Sequence, residues 1–258
     1  MADILVCIKR VPDVSGEALL TADGLHVDAR HVGYTVSPHE LCAVELAVQV
    51  AGDTGGSVTV LTVGSADSVE KLRDAVAVGA TGAVLVEVDD PDAFGPRDVS
   101  DVIAEVVEAD AAAGTSYDLV LLGNDAADTG DFQVGVRLAY RLDRPVVVGA
   151  SVLAVDGGTA SITADGPDGT DIFEVALPAV VTVLEGGVEP RYPSVVGRMK
   201  AKKAAIDTRS TAVAPAGGGR VTLKLPPQQP SQVEVLGEGP EAAPKLVDLF
   251  ESLGVLSR

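Results

Sequence analysis

Residues 117–145 read YDLVLLGNDAADTGDFQVGVRLAYRLDRP, and they carry the strongest fold signal in the chain. Leu119–Leu122 form an apolar run with the length and composition of a buried parallel strand, which breaks at Gly123. A polar loop of small residues follows, Asn124–Asp131, and apolar residues then recur at near-helical spacing over Val134–Leu142. A strand, a small-residue loop and a helix N-terminus together leave backbone N–H groups free for a phosphate. The stretch therefore predicts a ligand-binding loop.

The loop lacks the signatures of two common nucleotide sites. No lysine of the Walker type follows it, and the chain contains no G-x-G-x-x-G. Neither a nucleoside triphosphatase nor a standard dinucleotide site is therefore predicted. The three histidines, His26, His31 and His39, stand in no Ser/His/Asp or metal-ligand spacing, which gives no support to a hydrolase or ligase.

Strands and helices alternate along the chain, and this alternation predicts an α/β fold. Apolar strands are predicted at residues 4–8, 58–63, 83–88, 118–122 and 179–184, with helices at 38–52, 66–78, 98–113 and 134–145. Such alternation implies right-handed crossovers and one doubly wound, mostly parallel, Rossmann-like sheet. Turn signals predict that residues 146–155, 160–163 and 171–175 extend this sheet with antiparallel strands, and that residues 14–36 hold one or two short strands.

The chain is predicted to have two parts, a nucleotide-binding domain over residues 1–206 and a C-terminal arm over residues 207–258. Residues 213–240 are rich in Pro, Gly and Gln, which indicates an extended segment. Residues 244–255 are predicted to form a short amphipathic helix with Leu246, Leu249, Phe250 and Leu253 on one face. From the residues alone, this helix either folds back on its own chain or grips another subunit.

The charge balance limits the class of partner. The net charge is −19, from 38 acidic and 19 basic residues, which argues against nucleic acid and indicates an acidic surface of the kind suited to a high-salt cytoplasm. No apolar run is long enough to span a bilayer and no signal-peptide pattern is present, so a cytoplasmic protein that is not membrane-embedded is expected. Cys7 and Cys42 are predicted to be buried thiols, not metal ligands. One basic cluster, near Lys200, is either a solvated helix end or a contact for an acidic partner or for phosphates.

Three segments, in the same order and spacing, resemble the beta subunit of electron transfer flavoprotein. The first is V-C-I-K-R-V-P-D at residues 6–13. The second is the loop over residues 123–135, which matches the family pattern G-x-x-A-x-D…Q-x-G. The third joins L-P-A-V-V-T at 177–182 to E-P-R-Y-P-S at 189–194 and M-K-A-K-K at 199–203. The resemblance covers residues 3–206, and the tail beyond is similar only in kind.

The resemblance implies a heterodimer in which a larger alpha subunit carries most of the FAD, while this subunit holds a structural AMP. It implies an electron carrier that is not catalytic alone. Such a carrier takes electrons from dehydrogenases, such as the acyl-CoA dehydrogenases of fatty acid oxidation, and passes them to a membrane quinone oxidoreductase. The C-terminal arm and helix are then expected to contact the alpha subunit, and the Lys9–Val14 loop to form part of the wall of the FAD site.

Carried over by position, the resemblance implies an AMP pocket made of three loops and one helix start, which converge on one crevice of the sheet. Its residues are Cys7, Ser37, Pro38, His39, Glu40, Val63, Gly123, Asn124, Asp125, Ala126, Ala127, Asp128, Thr129, Gly130, Asp131, Phe132, Gln133 and Val134. A phosphate needs donors without bulk, and Gly130, the Thr129 hydroxyl and the N–H groups leading to Gln133 are expected to supply them. Asp128 and Asp131 are expected to cap the following helix or to face the ribose.

The resemblance also implies that residues 189–199 form a recognition loop for partner dehydrogenases, with Val195 as the anchoring apolar residue. The docking residues carried over are Glu189, Pro190, Arg191, Tyr192, Val195, Lys200, Lys202 and Lys203. Residues 185–198 lack the periodicity of a strand or a helix, so they are predicted to be irregular.

Departures from the family pattern bear on the ligand. Relatives that bind a second FAD here and bifurcate electrons tend to read D-G-D-T-A-Q in the loop, whereas residues 128–133 of this chain read D-T-G-D-F-Q. The bulky Phe132 favours AMP, and a second FAD is the alternative. Val14 stands where some members carry a flavin-edge tyrosine, so only apolar packing is expected there. A stand-alone AMP- or ATP-binding stress-type domain is a further alternative, but it leaves residues 189–203 and the arm unexplained.

Overall fold

A computed structural model of the chain describes residues 1–13, 19–219, 222–227 and 233–256, and it divides into two units. In the first unit, Met1–Leu223, buried apolar runs form the central sheet. Its strands are β1 (Ile4–Cys7), β2 (Val11–Pro12), β3 (Tyr34–Thr35), β4 (Val58–Gly64), β5 (Gly82–Glu87), β6 (Leu119–Gly123), β7 (Val146–Asp156), β8 (Thr159–Gly166), β9 (Gly169–Ala176), β10 (Ala179–Val183) and β11 (Asp207–Arg209). Its α-helices are α1 (Pro38–Thr54), α2 (Val69–Val78), α3 (Pro96–Ala112), α4 (Val134–Leu142) and α5 (Val195–Lys203). The predicted α/β class is confirmed.

Nine of these strands form one sheet in the order β11-β5-β4-β1-β6-β10-β7-β8-β9. All neighbouring pairs from β11 to β7 are parallel, and β8 and β9 extend the sheet antiparallel. The chain passes outward from β1 through β4 to β5, and then returns to β6 on the other side of β1. Loops that leave β1 and β6 therefore diverge, and this switch point is where an open α/β sheet forms its ligand crevice.

Both faces of the parallel strands are covered, which explains why their sequences are continuously apolar. Ile4 and Val6 pack with α1 and α2 on one face, whereas Leu5 and Cys7 pack with α3 and α4 on the other. β7 is less uniformly apolar than these strands, and it changes partner along its length. Its start pairs parallel with β10, and its remainder pairs antiparallel with β8, with a register shift between Ala150 and Val152. The prediction of a wholly antiparallel segment 146–155 was therefore wrong for its first residues.

Cap residues set the ends of the helices more closely than apolar spacing does. α1 starts with Ser37 and Pro38 as predicted, but it continues past Gly52 to Gly55, whose φ of 74° provides the left-handed C-cap. α3 begins at Pro96, two residues before the predicted start, because the Asp98 carboxylate accepts a hydrogen bond of 3.0 Å from the Gly95 N–H.

Asp98 also ties the start of the predicted arm to the first unit. Its Oδ2 accepts from the N–H groups of Ala216 (2.8 Å) and Gly217 (2.9 Å), while Val213 packs against the core near α3 and α4. β11 joins the edge of the sheet beside β5. The first unit accordingly continues to Leu223, beyond the domain end predicted at residue 206.

The segment predicted to be irregular up to residue 198 contains the helix α5, so that prediction was wrong from Val195 onward. The Ser194 hydroxyl caps this helix by accepting from the Gly197 N–H at 3.0 Å. A β-carbon on Gly197 would lie 2.2 Å from the Ala77 carbonyl oxygen, so glycine is needed for α5 to pack closely against α2. A cap and small residues specify α5, not an apolar stripe.

The second unit, Lys224–Arg258, contains a 3₁₀ turn at Gly239–Ala242 and the helix α6 (Ala243–Ser252). The predicted helix 244–255 is thus present but ends three residues earlier. The four side chains predicted on one face, Leu246, Leu249, Phe250 and Leu253, are exposed. Val14, predicted to pack near a flavin, lies outside the described residues, and so does the rest of 14–18 within the predicted excursion.

Candidate functional site

A crevice opens at the carboxyl ends of β1, β4 and β6, at the switch point of the sheet. Its floor and one wall are apolar and come from the strand ends and from α3 with the loop before it: Ile8, Leu61, Val63, Phe94, Val99 and Ile103. The opposite wall is the loop between β6 and α4, with the first residues of α4. One side of the crevice thus suits a flat apolar group, and the other side is formed by the backbone of the β6–α4 loop and of the start of α4.

The β6–α4 loop is held by its own backbone in an unusual conformation. The N–H groups of Thr129 (3.2 Å) and Gly130 (2.9 Å) both donate to the Ala126 carbonyl oxygen. Gly130 has a φ of 59° and Phe132 a φ of 52°, so two residues on either side of Asp131 are left-handed. This conformation costs a phenylalanine free energy, and its side chain is 58% exposed. Backbone strain of this kind is concentrated at functional sites.

The N-terminus of α4 points its free donors into the crevice. No side chain in the described chain caps this helix, because the Gln133 side chain instead accepts from the Arg137 guanidinium at 2.8 and 3.1 Å. A β-carbon on Gly135 would lie 2.2 Å from Thr182 Cγ2, so glycine lets the helix start sit directly on β10. Uncapped N–H groups at the positive end of a helix dipole form an anion site.

Asp128 and Asp131 do not cap α4, so the cap predicted for them was wrong. Asp128 Oδ2 lies 2.6 Å from Lys9 Nζ, and this ion pair joins the loop after β1 to the loop after β6. Asp131 lines the crevice. A contact with a ribose stays a prediction for both residues.

Glu40 is buried beneath the crevice, where α1, β1 and β6 meet. Its carboxylate accepts from the N–H of Ser37 at 3.2 Å and from the N–H of Lys9. A β-carbon on Gly123 would lie 2.6 Å from Glu40 Cγ, so glycine is required at this point. Burial raises the pKa of Glu40 to about 8, against the opposing effect of the N–H donors, and burial followed by the Glu40 charge raises the pKa of the Cys7 thiol. Cys7 therefore stays a neutral thiol in the crevice wall near pH 7.

The structure brings together most of the predicted pocket residues. Twelve of them line the crevice: Cys7, Glu40, Val63, Gly123, Asn124, Asp125, Ala126, Thr129, Asp131, Phe132, Gln133 and Val134. Six do not line it: Ser37, Pro38, His39, Ala127, Asp128 and Gly130. Phe94, Pro96 and Val99 form a crevice wall that was not predicted from the sequence. The Gly95-Pro96 helix start with Asp98 three residues after Gly95 was the available signal.

The predicted docking residues divide into exposed and anchored groups. Tyr192 (92% exposed) and Val195 (77%) protrude beside the exposed side chains of Val196 and Met199. Glu189 and the lysines of α5, Lys200, Lys202 and Lys203, are also exposed, and Pro190 is partly buried. Arg191 is exposed as well, but its guanidinium is anchored by two hydrogen bonds of 2.7 Å with the Glu45 carboxylate.

The described residues contain neither a candidate metal-binding cluster nor a candidate membrane-spanning helix. No group of three or more His, Cys, Asp or Glu side chains among them is placed to hold a metal ion. None of their helices combines the length and the apolar character needed to cross a membrane. The cytoplasmic location expected from the sequence stays a prediction.

The fold and the crevice define a Rossmann-like α/β domain with an uncapped helix start at its switch point, and comparison with known proteins narrows this class. The family model described as the electron transfer flavoprotein domain matches residues 24–214. The chain is 32% identical over 251 residues to an electron transfer flavoprotein subunit beta of Syntrophomonas wolfei, covering 96% of each chain. It is 31% identical to the subunit beta of Bacillus subtilis, covering 97% of this chain and 98% of the relative.

A subunit of the caffeyl-CoA reductase–Etf complex of Acetobacterium woodii is 33% identical over 203 residues, which are 77% of this chain and 74% of that protein. The chain therefore belongs to the electron transfer flavoprotein beta subunit family, as the sequence resemblance indicated. As a beta subunit of this family, the chain has an alpha-subunit partner and takes part in electron transfer.

We expect Glu40→Gln to change how stability depends on pH. The raised folded-state pKa means that the folded chain keeps a proton that the unfolded chain loses, so Glu40 lowers the unfolding free energy as pH rises from about 4.5 to about 8, by up to about 1.4 kcal/mol per pH unit. Glutamine cannot ionise. In urea unfolding between about pH 5 and pH 9, the unfolding free energy of the variant should therefore increase relative to that of the wild type as pH rises.

Glu45→Gln is the matched control in the same helix. The Arg191 hydrogen bond lowers the pKa of Glu45 despite its burial, so this carboxylate contributes stability above its unfolded pKa and loses it as pH falls. Across about pH 5 to pH 9 its variant should therefore be less stable than the wild type by a nearly constant amount, and this difference should shrink only as pH falls below the unfolded pKa. Parallel stability curves for Glu40→Gln and wild type would show that Glu40 ionises normally.

Proposed function

We propose that the chain is the beta subunit of a heterodimeric electron transfer flavoprotein and that its crevice holds AMP in a structural role. The single observation that supports this best is the uncapped start of α4 facing an apolar-floored crevice. The adenine ring would lie against the apolar floor, and the phosphate would take the N–H groups around Gln133 and Val134. Lys9 is the nearest cation, and its pairing with Asp128 leaves the helix start as the main source of positive potential.

A second FAD in place of AMP is the alternative that a structural feature favours. The crevice shares Lys9 and Pro91 with two neighbouring clefts, which also contain Arg10, His26 and Asp92. A ligand longer than a mononucleotide therefore has space in that direction. The left-handed Phe132 at the helix start and the departure of its loop from the pattern D-G-D-T-A-Q favour AMP.

A bound AMP should be recoverable from the purified protein. Denaturing the purified heterodimer should release one AMP per beta chain. Gly130→Val should reduce the amount of AMP released. It should also lower the stability of the complex by a few kcal/mol, the order expected when a bound ligand is lost. Valine strains a residue with a φ of 59° and adds bulk to the loop. Mass spectrometry of the extract and thermal unfolding measure both effects.

Gly157→Val supplies the control, because Gly157 has nearly the same φ, 58°, in the turn between β7 and β8 and no atom within 4 Å of an added β-carbon. It should be strained without losing AMP. Stoichiometric FAD from the beta chain, beyond that of the alpha subunit, would replace the AMP assignment with the bifurcating one.

The chain would do no redox chemistry alone, since the FAD of the heterodimer would be carried mainly by the alpha subunit. The loop after β1 and the first turn of α1 border the crevice and would form part of the wall of that site. The second unit is proposed to hold the alpha subunit through α6. Burying its four exposed apolar side chains would contribute roughly 1.5–3 kcal/mol each before ordering costs.

Deleting residues 241–258 should therefore weaken heterodimer assembly and cause loss of FAD, while the first unit stays folded. Size-exclusion chromatography and flavin absorbance of the co-expressed truncation test the assembly, and circular dichroism tests the fold. Replacing Leu246 and Phe250 by serine is the milder version. An intact yellow heterodimer of unchanged stability would mean that α6 serves its own chain.

Electron donors are proposed to dock on the surface formed by Tyr192, Val195, Val196 and Met199. This apolar patch lies beside the cations of α5 on a chain whose net charge is −19, so it differs from the rest of the surface in both polarity and charge. A protruding aliphatic side chain in a partner pocket is a typical hot spot. Acyl-CoA dehydrogenases are the proposed donors and a membrane quinone oxidoreductase the acceptor.

Val195→Ala should weaken docking of an acyl-CoA dehydrogenase by roughly 2 kcal/mol, about thirtyfold in affinity, because a hot-spot side chain is truncated. The measurement is the rate of flavin reduction in the heterodimer as a function of dehydrogenase concentration. Val152→Ala, an exposed valine on β7, serves as the control, and the flavin content of both variants should equal that of the wild type. Equal concentration dependence for Val195→Ala and wild type would exclude Val195 as the anchor.

A further inference from the structure

One face of α1 holds the segment that leads to the docking surface. His39 Nδ1 accepts from the Glu185 N–H at 3.0 Å, Cys42 Sγ donates to the Val188 carbonyl oxygen at 3.4 Å, and Glu45 Oε2 accepts from the Arg191 N–H at 3.1 Å. The partners in each pair are 146 residues apart, so both segments advance by three residues between contacts. Helix residues three apart share a face. Segment 185–191 therefore lies along α1 in one fixed register.

The last of these contacts is the firmest. The Arg191 Nε and Nη2 atoms each lie 2.7 Å from the Glu45 carboxylate, which also accepts from Gln49 Nε2 at 2.7 Å. The Glu45 side chain is 5% exposed and that of Arg191 is 46% exposed, so this bidentate pair is shielded from solvent on the carboxylate side only. It fixes the chain immediately before Tyr192.

The first of these contacts has a second role, because His39 also reaches the loop of the crevice. Its Nε2 lies 3.0 Å from Asp125 Oδ1, and Asp125 lines the crevice. Since Nδ1 accepts from an N–H group, the ring proton is on Nε2. The contact between Nε2 and Asp125 Oδ1 is close but not aligned as a hydrogen bond, so this buried carboxylate oxygen has no hydrogen-bond partner among the described residues. The neighbouring Ser37 hydroxyl donates to the Asp125 carbonyl oxygen at 3.3 Å. The first turn of α1 thus holds the crevice loop on one side and the docking segment on the other.

We propose that His39 is a positioning residue that couples the crevice to the docking segment, so that a nucleotide bound in the crevice orders residues 185–191. This proposal rests on the proposed function, because it takes AMP as the ligand. A ligand that fixes the β6–α4 loop also fixes Asp125, which orients the imidazole, and the imidazole holds the Glu185 N–H. Coupling is reciprocal, so AMP would strengthen docking by the same factor by which docking strengthens AMP binding.

Two substitutions separate the two contacts of His39. Asparagine places an amide oxygen near the position of Nδ1, so His39→Asn keeps an acceptor for Glu185 and loses the contact with Asp125. Glutamine places an amide N–H near the position of Nε2, so His39→Gln keeps the donor to Asp125 and loses the contact with Glu185. Coupling requires both contacts, whereas local stability of the docking segment requires only the contact with Glu185.

The test is hydrogen–deuterium exchange of the full-length chain in its heterodimer, stripped of nucleotide, with and without added AMP. In the wild type, AMP should slow exchange in peptides covering residues 124–135 and, by about fivefold, in peptides covering residues 185–191. In both His39 variants the first effect should remain and the second should vanish. Without AMP, His39→Asn should exchange like wild type over residues 185–191, and His39→Gln should exchange faster.

The possible failures are distinguishable. AMP protection of residues 124–135 without protection of 185–191 in the wild type would overturn the coupling and leave the proposed function standing. Protection of neither segment would overturn both. Persistence of AMP protection at 185–191 in His39→Asn would show that the signal bypasses His39, which also overturns the proposal. Glu45→Gln is a further check, because it should loosen residues 189–193 with or without AMP.

Discussion

The buried carboxyl group of Glu40 holds together the three chain segments that form the crevice. It accepts N–H groups from the end of β1 and from the start of α1, and its side chain packs on the bare backbone of Gly123 at the end of β6. Removing a hydrogen-bonded carboxyl group from water is costly, and the raised pKa near 8 reflects that cost. The crevice loop and the first turn of α1 both depend on this junction, since each begins within a few residues of it.

The parts of the structure that follow from local chemistry were predictable from the sequence. Apolar runs indicated the buried strands, and Ser37-Pro38 with Glu40 marked the start of α1. A crevice was expected at the carboxyl ends of the parallel strands, and twelve of the eighteen residues that the family resemblance implied for the AMP pocket line it. Their contact with a nucleotide stays a prediction. The direction of individual side chains did not follow. Asp128 pairs with Lys9, 119 residues earlier in the chain, and no periodicity in sequence encodes such a contact.

The misplaced elements share one physical cause, which is specification by small residues and distant partners. α5 carries three lysines and buries only Ala201, so it shows no apolar stripe, yet Ser194 caps it and Gly197 lets it pack on α2. The apolar wall opposite the loop was missed because Phe94 lies in the loop before α3 and Pro96 is the first residue of that helix, where no apolar periodicity marks them. The segment near residue 216 looked like a free arm, because its anchor is a carboxylate 118 positions away.

The register of three contacts between α1 and residues 185–191 also bears on how quickly partners can exchange. A flexible recognition segment must be ordered at each encounter, and that entropy cost slows productive association. Here contacts with a rigid helix at every third residue restrict the segment before any partner arrives, and the nucleotide proposed for the crevice would complete that ordering. A small apolar anchor on such a pre-shaped surface permits moderate affinity with rapid release. If the proposed docking of dehydrogenases holds, short residence times would matter more to such a carrier than tight binding.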